Sequence, residues 1–122
     1  MRIHHLAFRT GDLAKLEGFY VGALGLALTR RNEAGSVWLD AGGTIIMLEL
    51  RDEGEAPVAL SKELVAFTIA PDTHALVLAR LAAAGVAVET STAFTLYVRD
   101  PDGRRVGLSS YPVPLAPLAP LA

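Results

Sequence analysis

Three histidines and one unusually placed carboxylate are the side chains of this 122-residue sequence best equipped for chemistry. His4 and His5 stand together in the opening MRIHHLAF, and His74 lies further along. Imidazole nitrogens bind metals or move protons near neutral pH. Glu49 sits in the apolar run IIMLEL, where an unpaired carboxylate is costly to bury and therefore requires a partner. Adjacent residues on a strand point to opposite faces, so His4 and His5 are expected to diverge. His74 is expected to face solvent or to cap its own turn. The absence of cysteine excludes thiolate metal sites, cysteine nucleophiles and a disulfide scaffold together. Ser36, Ser61, Ser91, Ser109 and Ser110 fall in turns or at strand ends, without a nucleophile-elbow pattern. Gly42-Gly43 has no phosphate-loop context and reads as a hairpin turn.

The elements that must hold these residues follow from periodicity. Ile3 to Arg9 is a short apolar run broken by Thr10-Gly11, which predicts a buried strand. Asp12 reads as a helix N-cap. Leu13, Leu16, Tyr20 and Leu24 then recur at three- and four-residue spacing, and Gly25 closes the stripe at the position that favours glycine. Leu26 to Asn32, Val37 to Asp40 and Thr44 to Leu50 predict three more strands. The polar stretch RDEGEAPVALSK, broken by Gly54 and Pro57, reads as a linker. Beyond it the order repeats: a strand over Leu64 to Ala70, then a helix opened by Pro71-Asp72 with Asp72 as cap and ended by Gly85. Strands over Val86 to Glu89, Phe94 to Val98 and Arg105 to Ser109 complete it, the last two joined by the turn Asp100-Pro101-Asp102-Gly103.

The halves also match as sequence. Leu6-Ala7-Phe8 aligns with Val65-Ala66-Phe67, Gly25-Leu26 with Gly85-Val86, and Leu48-Glu49-Leu50 with Val106-Gly107-Leu108, all at offsets of 58 to 60 residues. A duplicated βαβββ unit is the expectation. One copy has too little apolar surface to be stable alone, so copies must pair. The formal net charge of −2 argues against nucleic acid as a partner, which usually selects a clustered basic footprint. The adjacent basic pairs Arg30-Arg31 and Arg104-Arg105 read as solvated strand ends. No run approaches the ~20 apolar residues of a membrane span, and MRIHHLAF lacks the apolar core of a signal peptide, so a cytoplasmic protein is expected. The closing YPVPLAPLAPLA, residues 111–122, is too proline-rich for helix or ladder and is expected to be extended or disordered.

Two segments carry a family resemblance. IHHLAFRTGDLAKLEGFYVGALGL resembles the start of vicinal-oxygen-chelate proteins, the glyoxalase, bleomycin-resistance and dioxygenase superfamily. YVRDPDGRRVGL resembles their final hairpin. The resemblance runs nearly the whole way to Ser110. It implies an α+β fold of two tandem βαβββ modules whose curved sheets form a cup: module one over 1–51, a linker over 52–62 and module two over 63–110. The modules can pair within a chain or swap between chains, and a homodimer is expected.

In metal-using members each module supplies one ligand from its first strand and one from its last. The resemblance places these on His5 and Glu49 in module one, and on Leu64 and Gly107 in module two. Leucine and glycine have no donor to offer, so half of that ligand set is missing, which argues against glyoxalase I activity itself. The reading that follows is a glyoxalase/bleomycin-resistance-like protein that binds a small molecule in the cup. The alternatives are a lyase- or dioxygenase-type enzyme with a divalent Zn, Ni, Mn or Fe on His5 and Glu49, or a metal-free lyase or isomerase with Glu49 as base. In the last of these, His5 orients Glu49 or polarises an oxygen. Trp38, Phe94 and Tyr97 would line a stacking pocket or simply serve the core. Arg99 would meet an anionic ligand or form a solvent-side salt bridge.

Overall fold

The computed structural model describes residues 1–119. The chain divides into two compact units, Met1–Ala59 and Leu60–Ala122, each a mixed four-stranded sheet with its own helix. In the first unit, β1 (His5–Thr10) is followed by α1 (Leu13–Glu17), a π-helical continuation (Gly18–Ala23), β2 (Ala27–Arg31), β3 (Val37–Asp40) and β4 (Ile45–Leu50). The second unit runs β5 (Leu64–Thr68), a 3-10 turn (Pro71–Thr73), α2 (His74–Ala83), β6 (Thr90–Ser91), β7 (Thr95–Arg99) and β8 (Arg105–Ser109). The strand orders are β1-β4-β3-β2 and β5-β8-β7-β6, with the outer pairs β1/β4 and β5/β8 parallel. The two units thus repeat one topology, the α+β architecture of tandem βαβββ modules.

Asp12 caps α1 as the sequence predicts, its Oδ1 accepting from Lys15 N at 3.0 Å. The stripe it opens is the core of unit one: Leu16, Phe19, Tyr20 and Ala23 are buried, with Val37, Leu39, Ile46 and Leu48 from the sheet. The predicted uniform helix widens after Glu17 into the π-helical turn. It ends with Leu24 N donating to Phe19 O and Leu26 N to Tyr20 O, around Gly25 at φ +83°. Tyr20 packs its ring 5.5 Å from Phe8 of β1 and 4.9 Å from Phe19.

In unit two the buried set is Leu81, Leu96, Val98, Val106 and Leu108. α2 ends as predicted at Gly85, φ +72°, with Val86 N bonded to Leu81 O and Gly85 N to Ala82 O. Its start differs. Asp72 does not cap it but lies inside the 3-10 turn, and Thr73, which precedes α2, makes no side-chain cap bond. The strand predicted over Val86 to Glu89 is also displaced. Pairing with β7 begins only where Glu89 N donates to Tyr97 O, and β6 is Thr90–Ser91. Phe94 falls outside β7 because Thr92 Oγ1 takes the amides of both Phe94 and Thr95 in the connecting turn.

The proline-rich tail runs in extended, irregular form against its own unit through Ala116. Leu115 N donates to Ala93 O at 2.8 Å and Ala116 N to Pro71 O at 3.0 Å. His74 neither faces solvent nor caps its turn, because its Nδ1 donates to Ala116 O at 2.8 Å. Residues 120–122, the end of that tail, lie outside the described residues.

Candidate functional site

Alternation sorts each sheet into a core face and a second face. On β1 and β4 the second face runs in three rows: His5 beside Ile45, Ala7 beside Met47, and Arg9 beside Glu49. β3 adds Trp38 opposite Met47, and β2 adds Arg30 opposite Trp38, the register shift at Thr29 bringing the arginine round. In unit two the equivalent rows are Leu64, Arg105 and Arg99, then Ala66, Gly107 and Tyr97, then Thr68, Ser109 and Thr95.

His5 and Glu49 share a face but are not brought together. The ladder separates them by four residue positions, about 13 Å at 3.3 Å per residue, whereas one ion bonds each ligand at about 2 Å. Their actual partners lie elsewhere. His5 Nδ1 is 2.9 Å from His4 Nδ1, one nitrogen donating and the other accepting. The two rings meet edge to face instead of diverging, because β1 begins only at His5 and strand alternation does not reach His4.

Glu49 Oε2 accepts from Arg9 Nη1 at 3.1 Å. The apolar enclosure that IIMLEL predicts for this carboxylate is replaced by a guanidinium. Arg9 also bonds Asp52 at 3.2 Å and Glu55 at 2.9 Å, tying the start of the linker to the sheet. The Arg9 guanidinium, together with the Asp52 amide, holds the Glu55 carboxyl down at about 2.

The ladders also correct the internal alignment of the last strands. Gly107, opposite Ala66, stands where Met47 stands opposite Ala7, and Glu49, opposite Arg9, is matched by Ser109 opposite Thr68. The sequence match of Leu48-Glu49-Leu50 to Val106-Gly107-Leu108 is therefore two residues out. An apolar-x-apolar strand matches itself at a shift of two, so the pattern could not fix the register. The ladders match Met47 with Gly107 and Glu49 with Ser109, so on either match His5 and Leu64 are joined by at most one carboxylate. Among the described residues no three His, Cys, Asp or Glu side chains are grouped to hold a metal ion. The family's metal centre does not fit these residues.

The aromatic candidates separate. Trp38 and Tyr97 occupy equivalent places on the second faces, each beneath an arginine: Arg30 lies 5.2 Å from the Trp38 ring and Arg105 4.1 Å from the Tyr97 ring. Phe94 precedes β7 and packs edge to face against Tyr111 at 5.1 Å, at the root of the tail. Arg99 is committed to structure. It bonds both oxygens of Glu89, at 2.6 and 3.2 Å, and the carbonyls of Ser61 and Gly103. Its guanidinium lowers the Glu89 carboxyl below the usual range.

Arg9, Arg30 and Arg105 escaped the sequence reading as site residues. The basic pair Arg104-Arg105 in fact splits. Arg104 turns back to Asp100 at 3.1 Å and Asp102 at 3.2 Å, and Arg105 joins the second face. The signal was present, since residues 105, 107 and 109 of one strand must share a face. Among the described residues, two buried side-chain polar atoms have no hydrogen-bond partner: Trp38 Nε1 and Arg105 Nε. Both belong to the arginine–aromatic pairs of the second faces.

No helix among the described residues is long and apolar enough to cross a membrane. No curated protein sequence matches the chain. Solved structures do. An integron cassette protein from V. cholerae aligns with a TM-score of 0.72 at 22% identity, covering 91% of this chain and 95% of that one. Lactoylglutathione lyase from Agrobacterium tumefaciens aligns at 0.67 and 22%, covering 88% and 92%. A mutant of the fosfomycin resistance protein FosX from Listeria monocytogenes, solved with Mn(II) and 1S,2S-dihydroxypropylphosphonic acid, aligns at 0.76 and 16%, covering 89% of each. At such identities the likeness establishes the fold. The sequence itself matches a family profile over residues 2–108, and the chain belongs to the Glyoxalase/Bleomycin resistance protein/Dioxygenase superfamily.

Proposed function

We propose that this superfamily member is a small-molecule-binding protein that takes an acceptor-bearing ligand against the second faces of its sheets, without the metal-ligand set that the family resemblance implies. The observation that carries this reading is the pair of stranded donors. Indole Nε1–H and guanidinium Nε–H can only donate, and a buried donor without an acceptor costs about 1–3 kcal/mol. Native interiors rarely leave such groups unmatched. Trp38 Nε1 and Arg105 Nε are both of this kind, and a carbonyl, carboxylate or similar oxygen from a ligand would satisfy either. Trp38 and Tyr97 supply the stacking surfaces beside them. Among the sequence candidates, His5 and Glu49 are the least suited to act jointly, because each already has another partner.

The test uses the full chain, labelled with nitrogen-15. Trp38 is the single tryptophan, so its indole N–H gives one assigned NMR signal. A library of small carbonyl and carboxylate compounds is expected to contain members that shift the Trp38 indole or the Arg105 Nε–H signal saturably. A library that moves neither would sink the proposal. Metal content, measured by mass spectrometry on tag-free protein offered Zn, Ni, Mn and Fe(II), is expected to stay far below one per chain and to be the same in His5→Ala. Near-stoichiometric metal that disappears in His5→Ala would overturn the metal-free half of the reading.

A further inference from the structure

The second face of unit two holds more than an unmatched donor. β8 leaves its turn with Arg104 bonded to Asp100 and Asp102, and the next residue, Arg105, projects to the other side of the strand. Its guanidinium lies over Tyr97, 4.1 Å from the ring centroid, held there by cation–π attraction. Its Nε is buried and has no acceptor. The acid across the sheet, Glu89, lies near enough for Arg105 to help lower its carboxyl, but both of its oxygens take their hydrogen bonds from Arg99.

One row along β8, the side chains around Gly107 close over its backbone. A Cβ built there would meet Ala66 Cβ at 3.2 Å, Leu64 Cδ1 at 3.4 Å and Thr95 Cγ2 at 3.4 Å. The surroundings of Gly107 are therefore methyl groups, a closed apolar surface one row from the Arg105 cation.

Resting on the small-molecule reading above, we infer that Arg105, Tyr97 and the methyl-lined surface at Gly107 form a subsite for an organic carboxylate, the carboxylate on the Arg105 fork and the apolar body on that surface. The fork matches a planar carboxylate through two parallel N–H···O bonds, and one of the donors on that edge, Nε, is the one left unmatched. The apolar surface distinguishes an organic anion from an inorganic one, which would use the guanidinium alone. Thr95 and Ser109 close the far end of the face with hydroxyl groups bonded to each other at 2.8 Å.

The experiment titrates the labelled full chain with benzoate, with inorganic phosphate and with benzyl alcohol, following the Arg105 Nε–H and the Tyr97 ring signals. Benzoate is expected to move both saturably. Phosphate, which lacks the apolar body, and benzyl alcohol, which lacks the charge, are expected to bind about tenfold more weakly or worse, the first losing apolar burial and the second a charge-assisted contact. Arg105→Lys keeps the charge and loses the fork, and is expected to weaken benzoate by a similar factor. Arg105→Gln serves as a second variant, with circular dichroism confirming that each variant is folded. Equal benzoate affinity in wild type and both folded variants would overturn the subsite, as would phosphate binding as tightly as benzoate, the mark of an adventitious ion only. A ligand that shifts the Trp38 indole but leaves Arg105 Nε–H unmoved would refute this inference and leave the broader reading standing. No response at either group would refute both.

Discussion

Arg9 gathers three carboxylates at one end of the first sheet, from Glu49 on β4 and from Asp52 and Glu55 just beyond it. This is the arrangement that a carboxylate in an apolar strand demands, and the sequence reading foresaw the demand while naming the wrong partner. His5 was the nearer candidate by residue type. Arg9 lies directly opposite Glu49 in the ladder, a fact that only the register reveals. The cluster has a pH consequence. Glu55, held at about 2 by the hydrogen bond from Arg9, titrates near 4.3 in an unfolded chain. Its folded value is depressed, so its contribution to stability is complete above the unfolded value and is lost as pH falls from about 4.3 towards 2. Urea denaturation followed between pH 7 and 2 is therefore expected to show stability falling in that window, with Glu55→Gln flattening part of the fall. An unchanged acid limb in Glu55→Gln would show that the ion pair adds nothing. Because the cluster is only partly buried, added salt should shrink the difference. Glu49→Gln is expected to leave benzoate binding unchanged, since the Glu49 carboxylate is already engaged by Arg9. A large loss of binding in Glu49→Gln would instead restore Glu49 as a site residue.

At the scale of elements, chemistry at the ends was more legible than the pairing between strands. Asp12, Gly25 and Gly85 act where their residue types say they should, because caps and positive φ are decided locally. Asp72 carried the same signal and does not cap, since Pro71 starts a 3-10 turn in which Asp72 is already an interior residue. A matched pair of variants separates the two. Asp12→Ala is expected to lower the stability measured by urea unfolding by about 1 kcal/mol, whereas Asp72→Ala should stay within about 0.5 kcal/mol. Equal losses would mean that Asp72 caps after all. β6 was misplaced for a related reason. Alternation in Val86 to Glu89 follows from side-chain pattern alone, yet the chain leaving Gly85 must travel before its amides reach β7. The shift of two in the last-strand alignment has the same root. Side-chain pattern fixes which face a residue takes and leaves the register to the partner strand.

At the scale of the whole molecule, the duplicated topology and the two resemblance-bearing segments made the architecture readable, and the family match over residues 2–108 agrees with it. Function was less readable because it depends on rows that cross strands: Arg105 on Tyr97 beside Gly107 is distributed over β7 and β8, and no contiguous motif spells it. The same topology leaves each sheet with two edges, β1 and β2 in one unit and β5 and β6 in the other. β2 is exposed at all five of its residues, Leu28 among them at 43%. Leu50 and Val113 are each 53% exposed. An open edge offers unpaired amides and carbonyls to another chain, and natural proteins usually cover or charge such edges. Arg30 and Arg31 charge one end of β2, but Ala27 and Leu28 leave its start apolar. We therefore propose a homodimer, whose mass by light scattering at micromolar concentration should be twice the 12.9 kDa of one chain. Leu28→Lys, which adds charge to the apolar start of the edge, should shift that mass towards one chain if β2 lies in the contact. A wild-type mass of one chain at this concentration would remove the dimer and would leave these edges to solvent.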